Sequence, residues 1–270
     1  MTKCAVVVSR NDNYGDNLIH RAKLSLENNS KVFDHIIYVD WKTVNRPLTD
    51  ELNIDKRNIE TISISEEYIA NKWPQFVNYP IVETIARNIG IRKAIEKYDY
   101  VCSTNIDVII NNFNIDNLCN DTLYTARRRN VPQEAHLSFS DNILSQLINQ
   151  KDSFELAPMA VKDGRGIWDP GDDWSLVVCC GDFQFAHRNL WADIRGFEEE
   201  MAGRCYADSN LMKRPIIIGK KTAIADVDVF HLNHTNYSER LPTEYLPVND
   251  QYKYVNDWVK STNNTKWGIL

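Results

Sequence analysis

Acidic, amide and imidazole side chains in this sequence gather just after short apolar runs. In an α/β protein that is where ligands bind, in the crevice outside the carboxyl ends of the strands. Tyr100 to Ser103 forms one such run, followed by Asn105-Ile106-Asp107 before Val108-Ile109-Ile110 resumes the apolar pattern. Val6 to Arg10 leads into Arg10-Asn11-Asp12, and Ile36 to Val39 ends at Asp40-Trp41. Three acidic strand ends converging on one crevice is the layout that a nucleotide site requires. No G-x-G-x-x-G and no G-x-x-x-x-G-K-[ST] occurs, so neither a dinucleotide-binding turn nor a P-loop is supported. Further along, Asp208 precedes Asn210-Leu211-Met212, and His231 and His234 follow the run Ala223 to Phe230. A carboxylate at Asp208 can cap a helix, or it can take a proton from a hydroxyl within hydrogen-bond reach. H-x-x-H without an H-E-x-x-H context fits a structural pair as readily as a metal pair.

Several elements must position these groups. The strand Val6 to Arg10 is followed by the polar turn Asn11 to Asp16 and a helix from about Asn17 to Glu27. Ile36 to Val39 is a second buried strand. Glu60 to Ser65 alternates, with Ile62 and Ile64 on one face, and predicts a third. Pro80 suits the first turn of a helix in which Val82, Ile85, Ala86 and Ile89 recur at helical spacing. Ile91, Ala94 and Ile95 add a second stripe, so this helix is expected to be buried on much of its surface. Leu123 to Ala126 predicts another strand, Ser140 to Gln150 a helix, and Ala223 to Phe230 a strand. Strands alternating with helices predict βαβ units and a mainly parallel sheet. Lys151 to Trp174 is a long polar stretch carrying Trp168 and Trp174, which suits either a binding lid with indoles for sugar faces or a surface loop anchored by them.

The chain has 270 residues, with 43% hydrophobic and 25% charged, ordinary values for a globular protein. A net charge of −6 argues against a general nucleic-acid binder, leaving only a local basic patch at Arg127-Arg128-Arg129. No apolar run reaches membrane-spanning length, and the N-terminus lacks a signal-peptide layout. The six cysteines show no C-x-x-C spacing, and several fall in expected strands. They are expected to be reduced core residues in a cytoplasm-like compartment.

The ordered set of motifs resembles the GT-A nucleotide-sugar glycosyltransferases of the family-2-like type. Ser9-Arg10-Asn11-Asp12-Asn13-Tyr14-Gly15 with Arg21 is similar to the opening "SRND.yG…R", and Val39-Asp40-Trp41 to "VDW". Ala86-Arg87-Asn88-Ile89-Gly90 then leads to Asn105-Ile106-Asp107, where Asn replaces the first Asp of D-x-D. Cys180-Gly181-Asp182-Phe183, Arg195-Gly196-Phe197 and Tyr206-Ala207-Asp208 are similar to the later "GdF", "irGF.E" and "xED..L" segments. The resemblance covers roughly Val6 to His234. It implies an α/β, Rossmann-like GT-A fold, with a mostly parallel sheet flanked by helices and a small antiparallel acceptor-side part. A donor half of about residues 1–125 and an acceptor half of about 126–235 would form one catalytic domain, with 236–270 an extension packed on it.

The resemblance also implies roles. Arg10, Asn11, Asp12 and Asp40 would meet the nucleotide of a UDP- or GDP-linked sugar, and Arg87 the nucleotide or its diphosphate. Asp107 would hold Mn²⁺ or Mg²⁺, with Asn105 contributing through its side-chain oxygen or a water. One of His231 and His234 would complete that site; oxygen and imidazole nitrogen are both acceptable to Mn²⁺. Asp208 would deprotonate a carbohydrate hydroxyl, giving hexosyl or pentosyl transfer with inversion. Two other functions compete. A sugar nucleotidyltransferase normally needs a Gly-rich basic loop, which Ser9-Arg10-Asn11-Asp12 matches poorly. A non-catalytic nucleotide- or sugar-binding protein would explain Asn105 but leaves Asp107, Asp208 and both histidines without a purpose.

Overall fold

The computed structural model describes residues 1–43, 46–116, 118–139, 142–157, 181–201, 207–235 and 263–269. The tryptophans at 168 and 174, Cys179, Cys180, Cys205, Tyr206 and the aromatics Tyr237, Tyr245, Tyr252, Tyr254 and Trp258 lie outside the described residues.

The fold begins with β1 (Lys3–Ser9), a continuous apolar run buried on both faces, as a central parallel strand should be. Cys4, Val6 and Val8 point into one core and Ala5 and Val7 into the other. The chain continues through α1 (Leu18–Asn29), β2 (His35–Thr43), α2 (Leu48–Glu51), β3 (Ile59–Ser65), α3 (Glu66–Lys72), α4 (Glu83–Ala94) and β4 (Tyr100–Asn105). β2 and β4 flank β1 in parallel, and β3 extends the sheet beyond β2. The second half comprises β5 (Val108–Asn111), β6 (Thr122–Thr125), β7 (Arg128–Val131), α5 (Gln133–Ser138), α6 (Ile143–Gln150), β8 (Glu155–Leu156), β9 (Gln184–His187), α7 (Arg188–Ile194), α8 (Ala207–Ile217), β10 (Lys221–Ile224) and β11 (Asp228–Leu232).

Seven strands form the main sheet in the order β10-β6-β9-β4-β1-β2-β3. β9 runs antiparallel between β4 and β6, and the other pairs are parallel. This is the α/β architecture that the alternation of strands and helices predicts. A second sheet, β5-β11-β7-β8, is mixed: β11 is antiparallel to β5 and parallel to β7, and β8 is antiparallel to β7.

Three local expectations are corrected. β2 does not end at Asp40-Trp41 but runs on to Thr43, with Asp40 paired to Ser9 inside the sheet. The apolar run Ala223 to Phe230 is not one strand. It divides into β10 of the main sheet and β11 of the second, so the chain changes sheets between them. Cys4 and Cys102 are buried free thiols, and burial pushes the Cys4 thiol up to about 12, but Cys119 is exposed.

α4 is buried over most of its surface, as its double stripe predicts, although it starts at Glu83 and leaves Pro80 ahead of it. It lies so close to β1 that a Cβ on Gly90 would run into the Val6 side chain. Val6 is fully buried and has nowhere to move. Gly90→Ala should therefore destabilise the protein by about 1–3 kcal/mol, as overpacking does. Urea denaturation checks this, and Val6→Ala in the same chain should recover part of the loss.

Candidate active site

Asp107 sits in the two-residue turn between β4 and β5, where the chain leaves the main sheet for the second one. Strand register brings the histidines to it. β11 pairs antiparallel with β5 so that His231 lies opposite Val108, and the Leu232 N–H donates to the Asp107 carbonyl at 2.9 Å. His231 Nε2 is 3.9 Å from Asp107 Oδ1, and His234 Nε2 is 3.2 Å from Oδ2. One ligand atom from each of the three residues lies within 4.8 Å of the others.

A polar stripe on α1 holds this turn in place. Arg21, Ser25 and Asn29, spaced four apart, are all fully buried. Arg21 Nη1 donates to Asp107 Oδ2 at 2.7 Å. Ser25 Oγ and Asn29 Nδ2 both donate to the Val108 carbonyl, and Asn29 Oδ1 accepts from the Ile110 N–H at 2.9 Å. The helix thereby satisfies the backbone of β5 on the edge away from β11. The remaining Arg21 donors go to the carbonyls of Tyr14 and Asp16. The turn that supplies those carbonyls has positive φ at Asn13, Gly15, Asp16 and Asn17. Gly15 is required there, because a Cβ would collide with the His234 ring and the Arg21 guanidinium.

The electrostatics suit a cation. Burial alone would raise the Asp107 carboxyl, but His231, His234 and Arg21 together hold it well below the usual carboxylate range. His234 Nδ1 donates to the Thr235 carbonyl at 3.0 Å, which leaves Nε2 facing the carboxylate. In the neutral ring that atom carries a lone pair, and a lone pair opposite an anionic oxygen is relieved only by a proton or a metal ion between them. His231 Nδ1 likewise bonds Asn233 Oδ1, leaving its Nε2 toward Asp107.

Two hollows meet at this site. The larger, of about 210 Å³, is lined by Arg10, Asp12, Tyr14, Pro80, Asp107 and both histidines among others. The smaller, of about 100 Å³, is lined by Thr84, Arg87, Gly181, Phe197, Ala207 and Asp208. Glu83 and Asn105 line both and form the wall between them.

Neither sequence comparison finds a relative: no family model matches the chain, and no curated protein does. Its fold, however, superposes on a solved one. The crystal structure of GalNAc-T7 with UDP, GalNAc and Mn²⁺ matches with a TM-score of 0.56 at 14% identity, over 95% of this chain. The fold is GT-A-like. The match covers 48% of the GalNAc-T7 chain, so this chain spans about half the length of that structure.

Within the GT-A-like fold, the expected site residues divide into three groups. Asp107, His231 and His234 are brought together, and Arg10 and Asp12 face the same cleft. Arg87 and Asp208 face the adjoining hollow. Asn11 and Asp40 are turned elsewhere. Asn11 Nδ2 donates to Glu51 Oε1 at 2.9 Å, and the fully buried Asp40 carboxylate accepts from the Tyr38 hydroxyl at 2.9 Å. Asp40 falls inside β2, which continues past it, and it lines neither of the two hollows. Sequence reading assigns no individual role to three groups that shape the site, although Arg21 and Asp182 stand in its motifs. The Arg21-Ser25-Asn29 stripe is visible as polar residues at four-residue spacing, but that pattern also describes a solvated helix face. Asp182 is fully buried and pairs with Arg128 at 2.7 Å. Glu83 is the other shared wall residue.

Asp208 lies within the first turn of α8, its Oδ1 accepting from the Ser209 N–H at 2.9 Å. Burial, aided by the negative charge of Asp182, pushes its carboxyl up to about 7. The folded protein therefore holds this proton more tightly than the unfolded chain does. The contribution to stability is whole below about pH 4 and is lost as pH rises toward 7. Asp208→Asn should accordingly stabilise the protein at pH 8 by on the order of 2–4 kcal/mol, and change little at pH 4. Thermal denaturation at the two pH values checks this.

Proposed function

We propose that this chain is a glycosyltransferase that moves a sugar from a nucleoside-diphosphate-sugar to a carbohydrate hydroxyl. The observation that carries this reading is the pair of adjoining hollows on a GT-A-like fold, one with an Asp-His-His group and the other with a carboxylate raised to about 7. Asp107, His231 and His234 would hold a divalent cation, Mn²⁺ or Mg²⁺, which when bound offsets the charge on the leaving diphosphate. The oxygen and nitrogen donors fit such an ion. Arg21 already neutralises Asp107, so the site gains its negative charge from the nucleotide and binds cation and diphosphate together. Arg10 and Asp12 line the nucleotide side.

The acceptor hydroxyl would enter the smaller hollow. Asp208 takes its proton as the acceptor oxygen bonds to the anomeric carbon, and the bond from that carbon to the diphosphate breaks. The electron pair leaves with the nucleoside diphosphate, and the sugar inverts. A base near pH 7 suits this work, because it is ionised at neutral pH yet still basic enough to accept the proton.

Two tests follow. Calorimetry should find weak binding of Mn²⁺ alone, and at least tenfold tighter binding of Mn²⁺ in the presence of UDP, the nucleotide held by GalNAc-T7. Failure of every nucleoside diphosphate to bind, with or without Mn²⁺, would sink the transferase reading. Turnover should rise with pH through an apparent pKa near 7, and Asp208→Asn should lower kcat by roughly 10²–10⁴ with donor binding unchanged. Product of retained anomeric configuration, seen by NMR, would remove Asp208 as base while leaving sugar transfer in place.

A further inference from the structure

Asn105 lines both hollows, and both ends of its amide are engaged. Its Oδ1 accepts from Arg87 Nη2, and its Nδ2 donates to Asp182 Oδ1 at 2.7 Å. The assignment of oxygen and nitrogen is forced by the partners. A guanidinium only donates, and an ionised carboxylate only accepts. A carboxylate at position 105 would satisfy Arg87 but face Asp182 as a like charge, and an apolar side chain would satisfy neither. An amide of this length serves both.

The chain of contacts continues on each side. Arg87 pairs with Glu83 at 3.5 Å and donates to Ser103 Oγ at 2.7 Å. The other oxygen of Asp182 accepts from Arg128 Nη1 at 2.7 Å. Glu83, Arg87, Asn105, Asp182 and Arg128 thus form one row of alternating donors and acceptors that links α4, β4, the approach to β9, and β7. Arg87 and Asp182 are also the two charged residues that, beside burial, act on Asp208 in opposite senses.

We infer that Asn105 is a positioning residue and not a metal ligand: it fixes Arg87 and Asp182 at the wall between the Asp107 cleft and the Asp208 hollow. Asp182 is a buried carboxylate contributed from beside β9, and Asn105 is the neutral link between it and Arg87. The kinetic consequence rests on the transferase reading proposed above; the contact network does not.

A charge-exchange set tests the network. Asn105→Asp alone places two carboxylates in contact and should lower the melting temperature by roughly 4–10 °C. The exchange Asn105→Asp with Asp182→Asn restores every donor–acceptor pair. The amide, now at position 182, can accept from Arg128 and donate to the carboxylate at position 105. The exchange should recover at least half of the loss. A double variant no more stable than Asn105→Asp, or a single variant as stable as wild type, overturns the inference.

A binding arm separates positioning from ligation. Asn105→Ala should bind Mn²⁺ with UDP within about twofold of wild type, while Asp107→Asn loses tenfold or more. In turnover, Asn105→Ala should lower kcat at least tenfold with the donor KM little changed. A tenfold loss of Mn²⁺ affinity in Asn105→Ala makes residue 105 a ligand and overturns the inference. If wild type itself binds no nucleotide or metal, the proposed function fails, and the charge-exchange melts still decide the role of Asn105.

Discussion

The Arg21–Asp107 ion pair is the contact on which the site depends. Both groups are buried, and the charged donors of Arg21 reach into separate pieces of chain. One is the turn that takes the chain from the main sheet to the second sheet. The other is the left-handed turn at Tyr14 to Asp16, through its carbonyls. Because Asp107 is also fixed by backbone to the end of β11, the pair ties α1, both sheets and the histidines into one unit. A buried ion pair of this kind adds little net stability over an apolar replacement, while breaking it by removing one partner costs several kcal/mol. Its presence is therefore better explained by what it positions than by what it stabilises. It keeps a carboxylate ionised and aimed at two imidazoles in a place that burial alone would make neutral.

The same contact sets a limit on the cation. Arg21 offsets the charge of Asp107, so that pair presents no net negative charge to a cation. On the proposed reading, such a pair would attract a free divalent ion weakly, and a diphosphate would bring the missing charge. Charge balance would then make nucleotide and metal mutually dependent.

Much of this is legible in the sequence. Apolar runs and their alternation locate β1, β3, β4 and α4, because strands buried on both faces and helices buried on two stripes leave a strong pattern. The order of Asp107, His231 and His234 is legible too, as polar residues just beyond such runs. What is not legible has a common cause. An acid after four apolar residues usually ends a strand, and Asp40 reads that way. Here Tyr38 and the neighbouring β1 supply a polar niche inside the sheet, so the strand continues. Arg21, Ser25 and Asn29 carry the spacing of an exposed face, and only the edge of β5 away from β11 makes that face a buried one. The division of Ala223 to Phe230 between two sheets leaves no trace in hydropathy that would mark two strands of different sheets. For Asp40 and for the α1 stripe a deciding neighbour, β1 or β5, is remote in sequence, and local pattern has no access to it.

Asp208 and Asp107 show how one crevice gives two carboxylates opposite characters. Asp107 is buried and Asp208 half-buried, and burial by itself raises a carboxyl. Asp107 has a guanidinium and two imidazoles against it, and ends far below the ordinary range. Asp208 has Asp182 nearby, is helped by the Ser209 N–H and more weakly by Arg87, and ends near 7. The difference between a carboxyl held well below its usual range and one raised to about 7 is therefore made by which charges lie on each side of the wall at Asn105. An acid at that position would add negative charge to both sides at once and blur the distinction. An amide transmits hydrogen bonds without charge, which allows the two hollows to touch while keeping separate electrostatics.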